Sequence, residues 1–113
     1  MTTIYHNPRC SKSRQCLALL EEKKEDLNIV KYLETPFTED ELKNVIQLLR
    51  ISPIDLVRKN EAIWKENFKD KEIIDEELIS IMCQNPKLIE RPIVIKDSKA
   101  VIGRPPEKVI DIL

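Results

Sequence analysis

Glycine is nearly absent from this sequence, and its scarcity excludes two common kinds of nucleotide site. Gly103 is the single glycine among 113 residues. Phosphate-binding loops of the Rossmann or Walker type need several closely spaced glycines, because a side chain there would block the approach of the phosphates. A glycine-rich phosphate loop is therefore excluded.

With one histidine and no Cys-x-x-Cys pair, the chain lacks the ligand pattern of an ordinary structural metal site. The chain has three cysteines, Cys10, Cys16 and Cys83, and one histidine. No two of the cysteines form a Cys-x-x-Cys pair, and the usual zinc set needs four ligands at close spacing. We expect no bound metal, no resident cofactor, and free thiols in a reducing compartment.

Long apolar runs and an excess of one charge are also missing. Cys16–Leu20 is among the longest apolar runs, far below the roughly 20 residues that a membrane helix needs. The first residues, MTTIYHNP, lack the basic and then apolar pattern of a secretory signal. The net charge of −1, with 35% charged residues, gives no bulk attraction to nucleic acid. We expect a cytoplasmic protein that binds neither membrane nor nucleic acid.

The first third of the chain predicts a strand, a helix and a strand. Thr2–Tyr5 is β-prone and ends at the turn signal Asn7-Pro8. Good helix formers run from Ser11 to about Lys24, and Asn28–Leu33 reads as a second strand. The two strands should be parallel and joined by a right-handed crossover.

The middle of the chain predicts helices. Thr38 and Glu41 have the spacing of a capping box at a helix start. Ser52-Pro53-Ile54-Asp55 indicates another start, with proline at the first helical position. A third amphipathic helix is expected at Asp75–Gln84, with three residues facing inward: Leu78, Ile81 and Met82.

The last third predicts a hairpin and a helix. Ile93–Ile95 and Ala100–Ile102 are short strands around a turn, and Pro105-Pro106 begins a helix that ends at Leu113. The complete order is β-α-β, several helices, then β-β-α. This order predicts an α/β protein with a thioredoxin-like fold, forming a single domain over 1–113 with a helical insertion at about 36–90.

The stretch YHNPRCSKSR places a thiol among basic residues at the predicted start of the first helix. The helix N-terminus, with Arg9, Lys12 and Arg14 nearby, should lower the pKa of Cys10 and favour the nucleophilic thiolate. The same donors suit an incoming oxyanion. The alternative is a cysteine in the capping region that carries no chemistry.

His6 and Ser13 flank the thiol and each has two interpretations. His6 is either a base or a histidine satisfied at the end of a strand, and Ser13 either donates to the thiolate or caps the first turn. Cys16 lies six residues beyond Cys10, about 240° around a helix and about 9 Å along it, too far for a disulfide. We interpret Cys16 and Cys83 as core residues, so the thiol lacks a resolving partner.

The spacing also separates this site from the tyrosine-phosphatase loop. That loop places five residues between its cysteine and its arginine, whereas three separate Cys10 from Arg14. The phosphatase-like arsenate reductases use the longer loop and an internal disulfide, so this chain does not belong with them.

Five segments together resemble the glutaredoxin-dependent arsenate reductase (ArsC) family. YHNPRCSKSR is similar to the active-site segment of that family. Four further segments match in order and spacing, and the resemblance covers nearly the whole chain: YLETP (Tyr32–Pro36), VRKNE (Val57–Glu61), NPKLIERPIVI (Asn85–Ile95) and GRPPEKV (Gly103–Val109).

The resemblance implies a mechanism and roles for seven residues. Cys10 is expected to attack arsenate, glutathione to attack the resulting adduct, and glutaredoxin to remove the mixed disulfide. Arginine offers a planar fork of donors that suits a tetrahedral oxyanion. The implied roles are a nucleophile (Cys10), residues that keep it ionised (His6, Ser13), oxyanion ligands (Arg58, Arg91, Arg104) and a cis-proline beside the site (Pro92). Arg14, close to Cys10 in the sequence, is expected to support the site.

Two groups of related proteins leave alternative functions open for this chain. An ArsC-like subfamily without a role in arsenic resistance shares CSKSR and GRPPE, which allows another oxyanion or an oxidised thiol as substrate. The Spx-type regulators share the fold and bind RNA polymerase through a protein interface, with a Cys-x-x-Cys switch. Ser13 stands where the second cysteine of that switch would be, so the regulator is the weaker alternative.

Overall fold

The computed structural model describes residues 1–113 and divides the chain into two compact units. The first unit joins the two ends of the chain, Met1–Thr35 and Arg91–Leu113, and the second is Pro36–Glu90. The single-domain interpretation, drawn from chain length, stays a prediction.

A four-stranded sheet forms the centre of the first unit. Its strands are β1 (Thr2–Tyr5), β2 (Leu27–Val30), β3 (Ile93–Lys96) and β4 (Lys99–Ile102), in the spatial order β2-β1-β3-β4. β1 and β2 are parallel, whereas β3 is antiparallel to both of its neighbours, β1 and β4. The parallel first pair and the terminal hairpin confirm the topology predicted from the sequence.

Helices on the sheet close the core of this unit. Helix α1 (Ser11–Glu22) follows β1, and a 3₁₀ helix at Pro106–Ile112 ends the chain where an α-helix was expected. Both helices contact each other, and the terminal one also contacts β3 and β4. The fully buried core residues come from both layers: Ile4, Cys16, Leu20, Val94 and Val109.

The second unit is helical. It contains α2 (Glu39–Leu49), α3 (Ala62–Asn67), α4 (Asp75–Gln84) and two short 3₁₀ helices, Pro53–Leu56 and Pro86–Leu88. Helix α4 packs against α2 and both 3₁₀ helices.

None of the helices in the chain has the length and apolar character needed to cross a membrane.

Three further details of the secondary structure and burial differ from the sequence prediction. The second strand ends at Val30 rather than Leu33, because the carbonyl of Lys31 accepts hydrogen bonds from the N–H groups of Glu34 and Thr35 and starts a turn. In α4 the third inward residue is Ile79, whereas Ile81 is half-buried. Helix α3 was not expected, since its six residues are too short for a clear periodicity.

The single glycine, Gly103, is required because a side chain would not fit there, and not because of its backbone conformation. A Cβ atom built there would lie 2.9 Å from the Cys16 sulfur and 3.0 Å from Cγ of Pro92. Its φ is not positive, so the constraint is the close approach of the chain to α1 and to Pro92. The residue therefore fixes how tightly the start of GRPPE packs behind the first helix.

The capping box at α2 gives a stability prediction. The Thr38 hydroxyl accepts a hydrogen bond from the Glu41 N–H, and the Glu41 carboxylate accepts one from the Thr38 N–H, both at 3.1 Å. Thr38→Ala is expected to lower the free energy of unfolding by about 1 kcal/mol, because the first turn loses a partner for an exposed N–H. Urea denaturation measures this. Thr35→Ala, outside the box, is the control, since it removes only an exposed 3.2 Å hydrogen bond from the Thr35 hydroxyl to the Lys31 carbonyl. An equal loss in both variants would contradict the capping role.

Candidate active site

Cys10 is the N-cap residue of α1, as the sequence predicted. Its backbone is extended, with φ −94° and ψ 123°, and its side chain is half-buried. The Cys10 N–H donates to the carbonyl of Asn7 at 3.0 Å, and its own carbonyl accepts from the N–H of Arg14 at 3.0 Å. The loop and the first helical turn therefore hold the sulfur at the positive end of α1.

Opposing effects set the pKa of the Cys10 thiol, and the net result is a pKa below the ordinary value. Burial raises the pKa, but the backbone N–H of Ser13, the Arg91 guanidinium and the N–H of Lys12 together lower it further. Both backbone N–H groups belong to the first turn of α1, whose positive end stabilises the ionised sulfur. The thiolate is favoured by the helix start and by one arginine from the other end of the unit.

The lowered pKa agrees with the sequence prediction, and the start of α1 contributes to it as predicted, but the charged side chain differs. The prediction combined the helix N-terminus with three basic neighbours in the chain, whose side chains are all exposed: Arg9, Lys12 and Arg14. Arg14 instead donates to the carbonyl of Pro8 at 3.0 Å, which supports the loop. The charge that acts on the sulfur belongs to Arg91.

Ser13 and His6 form a buried pair behind Cys10. The Ser13 hydroxyl oxygen lies 2.6 Å from Nδ1 of His6 and accepts a hydrogen bond from the Asn7 N–H at 3.0 Å. Ser13 is fully buried and His6 is 5% exposed. The pair fixes the loop to the first turn of α1, which is a structural reason for both residues in addition to any chemical one.

The surroundings of His6 favour its neutral form. Burial, followed by the positive charges of Lys31 and Arg14, lowers the pKa of His6 below its usual range. A neutral imidazole with a protonated Nδ1 donates to Ser13 and leaves the serine hydrogen for another acceptor, whereas the other tautomer accepts that hydrogen. The roles of His6 and Ser13 in keeping Cys10 ionised stay predictions.

Arg91 and Arg104 lie together beside the hairpin. Nη1 of Arg104 donates to the Arg91 carbonyl at 3.4 Å, and both side chains are half-buried. The Arg91–Pro92 peptide bond is cis, which the resemblance implied, and the Arg104–Pro105 bond is also cis, which was not foreseen. The first unit thus brings two of the expected oxyanion ligands together, and one of them acts on Cys10.

Arg58 belongs to the second unit. Its Nε lies 3.5 Å from the Glu61 carboxylate and its Nη1 lies 3.4 Å from the Glu90 carboxylate. These two pairs hold the guanidinium in a defined orientation. Its role as the third oxyanion ligand stays a prediction.

The pKa values of the other two cysteine thiols are raised rather than lowered. Cys16 is fully buried in the core of the first unit, and burial raises the pKa of its thiol to about 12. Cys83 is half-buried rather than a core residue, and burial together with Glu39 and Glu41 raises its pKa. Of the three thiols, only Cys10 is favoured as a thiolate.

A cavity of about 390 Å³ lies beside the loop that leads to Cys10. Its lining carries two cations, Arg9 and Lys31, and one carboxylate, Glu34. The sequence analysis missed Lys31 and Asn7 as parts of this region. The Asn-Pro turn pointed to the loop, but only the fold places Lys31, after β2, next to it.

Comparison with solved structures identifies the structural class of this protein. A solved structure from Vibrio cholerae, described as an arsenate reductase, superimposes with a TM-score of 0.94 at 46% identity and covers 99% of this chain and 97% of that one. This likeness confirms the thioredoxin-like α/β fold. The class is therefore a thioredoxin-like protein with a single activated thiol at the start of its first helix.

The family follows from sequence. The profile of the ArsC family matches residues 5–112, and the chain belongs to that family. An arsenate reductase of Haemophilus influenzae is 42% identical, with 97% of each chain covered. The "Uncharacterized protein YfgD" of Escherichia coli strain K12 is 48% identical, over 97% of this chain and 94% of the relative.

Proposed function

We propose that this protein is a cytosolic arsenate reductase that uses glutathione and glutaredoxin as reductants. The single observation that carries the proposal is the Cys10 thiol, whose pKa is lowered by the start of α1 and by Arg91. Membership of the ArsC family supports it, as do relatives whose names give arsenate reduction as their activity.

The proposed reduction of arsenate has three steps, in which atoms and electrons balance. The Cys10 thiolate attacks arsenic in arsenate, forms an S–As bond and displaces one oxygen, which leaves as water after protonation. The sulfur of glutathione then attacks the sulfur of Cys10, and the electron pair of the S–As bond passes to arsenic, which departs as arsenite. Finally a glutaredoxin thiol attacks the mixed disulfide and restores Cys10.

The arginines have a defined task in the first step. Arsenate carries negative charge, and its approach to a thiolate is repelled unless cations offset both charges. Arg91 acts on the Cys10 sulfur and Arg104 contacts the Arg91 backbone, so both guanidinium groups suit the oxyanion. Arg58 is assigned as the third ligand on the resemblance alone.

The cavity beside the active-site loop suits the reductant. Glutathione carries two carboxylates and one ammonium group, and the cavity lining carries two cations, Arg9 and Lys31, and one carboxylate, Glu34. The charges are complementary in number and sign. We assign this cavity of about 390 Å³ to glutathione.

Removing a cavity charge should therefore weaken glutathione binding. Arg9→Ala is expected to raise the KM for glutathione by about 2-fold to 5-fold with kcat unchanged, because one exposed ion pair is lost. Steady-state assays with varied glutathione measure this. Lys12→Ala is the matched control, since Lys12 is exposed nearby but does not line the cavity. Equal KM values in the two variants would remove Arg9 from glutathione binding.

The assay that tests the proposed function couples four components to NADPH. Arsenate, glutathione, glutaredoxin and glutathione reductase are combined with the protein, and the loss of NADPH absorbance is followed. Arsenate-dependent NADPH oxidation that disappears on omission of glutaredoxin is the expected result. Absence of turnover in folded protein would contradict the proposal.

A second candidate function has one observation in its favour. The identity to YfgD, 48%, exceeds the 42% to the Haemophilus influenzae arsenate reductase, and the name of YfgD states no activity. The second candidate is reduction of another oxyanion or of an oxidised thiol through the same Cys10. Rapid alkylation of Cys10 at neutral pH, without arsenate turnover, would favour it.

A further inference from the structure

The second unit contains a cavity that has no role in the chemistry proposed above. Its volume is about 630 Å³, within the roughly 300–1,000 Å³ that small-molecule sites occupy. The lining combines apolar, basic and amide side chains with one carboxylate: Ile54, Lys59, Asn60, Trp64, Lys65, Lys69, Lys71, Ile73, Asp75 and Leu78.

The lysines and the acidic residues of the segment that forms most of this cavity are distributed differently. Residues 59–77 contain four lysines and seven acidic residues. All four lysines line the cavity, whereas Asp75 is the only one of the seven acidic residues that does. A segment with a net negative charge thus presents a positive cavity.

The four ammonium groups are available to a ligand. None of these lysines takes part in a salt bridge within the protein, and all four side chains are exposed. Like charges around one cavity repel each other, and this repulsion is relieved when an anion enters.

The inner wall of the cavity is apolar. Trp64 is 6% exposed and Leu78 is 3% exposed, so these side chains lie deeper than the lysines. Ile54 and Ile73 are half-buried beside them. A ligand that reaches the wall needs an apolar body as well as negative groups.

We propose that this cavity binds a small organic polyanion, with two or more phosphate or carboxylate groups against the lysines and an apolar or aromatic body against Trp64. Lysines hold phosphate groups as point charges and need no glycine-rich loop to do so. The volume of about 630 Å³ matches a small molecule, whereas a segment of another protein would need a longer groove.

Trp64 makes the proposal directly measurable, because it is the single tryptophan of the chain. Its fluorescence is recorded while the full-length protein is titrated separately with ADP, pyrophosphate, citrate and adenosine. ADP has both the negative groups and the aromatic body, so a saturable change is expected, with ADP binding tighter than pyrophosphate or adenosine. Added salt should weaken ADP binding.

Two double variants locate the effect. Lys69→Gln with Lys71→Gln removes two charges from the cavity and should weaken ADP binding about tenfold. Lys43→Gln with Lys87→Gln removes the same charge from exposed positions of the same unit that do not line the cavity, and should leave affinity within about twofold. Circular dichroism checks that both variants fold, and Lys59→Gln repeats the test if the first does not.

Several results would overturn the proposal. One is the absence of a saturable response to ADP, pyrophosphate and citrate. The others are equal affinity for adenosine and ADP, and an ADP affinity that does not change when the cavity lysines are replaced. Tighter binding of a glutamate-rich peptide than of every small anion would assign the cavity to an acidic protein segment instead. Failure here leaves the arsenate proposal intact, since no residue of this cavity takes part in that reaction.

Discussion

Cys10→Ser is expected to abolish arsenate-dependent turnover, with a loss on the order of 10⁴-fold or more. Serine does not ionise near neutral pH, so the first attack on arsenate fails. A serine oxygen also cannot form the disulfide through which glutathione delivers electrons to arsenic. Two of the three proposed steps are therefore blocked, and the coupled NADPH assay measures the loss.

The fold should tolerate this substitution. Cys10 is half-buried and makes no capping hydrogen bond, and serine is a preferred N-cap residue. At a pH low enough to keep Cys10 protonated, the unfolding temperature of Cys10→Ser should equal or exceed that of the wild type, which separates loss of chemistry from loss of structure. Cys83→Ser is the matched control and should keep activity. Turnover that survives in Cys10→Ser would remove Cys10 from the mechanism.

The lowered pKa of Cys10 also makes stability depend on pH. The folded protein holds the thiolate more strongly than the unfolded chain does, so the unfolded chain binds more protons at intermediate pH. The resulting stabilisation is fully present above the ordinary pKa of a free thiol and is lost as pH falls through the lowered pKa of the folded state. The stability difference between wild type and Cys10→Ser should therefore shift toward the wild type as pH rises through this window.

The elements that local sequence determines were predicted well. The strand Thr2–Tyr5 and the capping box of Thr38 and Glu41 appear as expected, because β-propensity, turn signals and capping depend on residues close together in the chain. The position of Cys10 at the start of α1 was predictable for the same reason. The short helices were less predictable, since a 3₁₀ turn such as Pro53–Leu56 shows the same start signals as an α-helix.

The electrostatic partner of Cys10 was not predictable from local sequence. Arg9, Lys12 and Arg14 are close in the chain, but their side chains turn to solvent. Arg91 acts on the sulfur instead, because β3 pairs with β1 and brings the residues before β3 to the end of β1. Only the resemblance pointed to Arg91, and it did so for the oxyanion and not for the thiolate.

Arg91→Ala is the second variant with a large expected effect. Loss of the guanidinium removes a hydrogen bond to the thiol and a positive charge beside it, so the pKa of Cys10 should rise. A charge-assisted contact to arsenate is lost as well, and kcat/KM for arsenate should fall about 10-fold to 100-fold. The rate of Cys10 alkylation by iodoacetamide, measured across pH, should shift its midpoint to higher pH.

Two further variants give this experiment its specificity. Arg9→Ala removes a positive charge next to Cys10 in sequence, and its alkylation midpoint should match the wild type, because Arg9 does not act on the thiol. Arg91→Lys keeps the charge but loses the planar fork, so it should restore much of the thiolate and less of the arsenate turnover. Thermal unfolding of each variant confirms the folded state.

The combined result separates the two tasks of Arg91. A shifted alkylation midpoint together with weaker arsenate turnover would mean that one guanidinium both ionises the nucleophile and holds the oxyanion. An unshifted midpoint in Arg91→Ala would mean that the N–H groups of Ser13 and Lys12 keep the thiolate without it. In that case the start of α1 alone activates Cys10, and the arginines act only on the substrate.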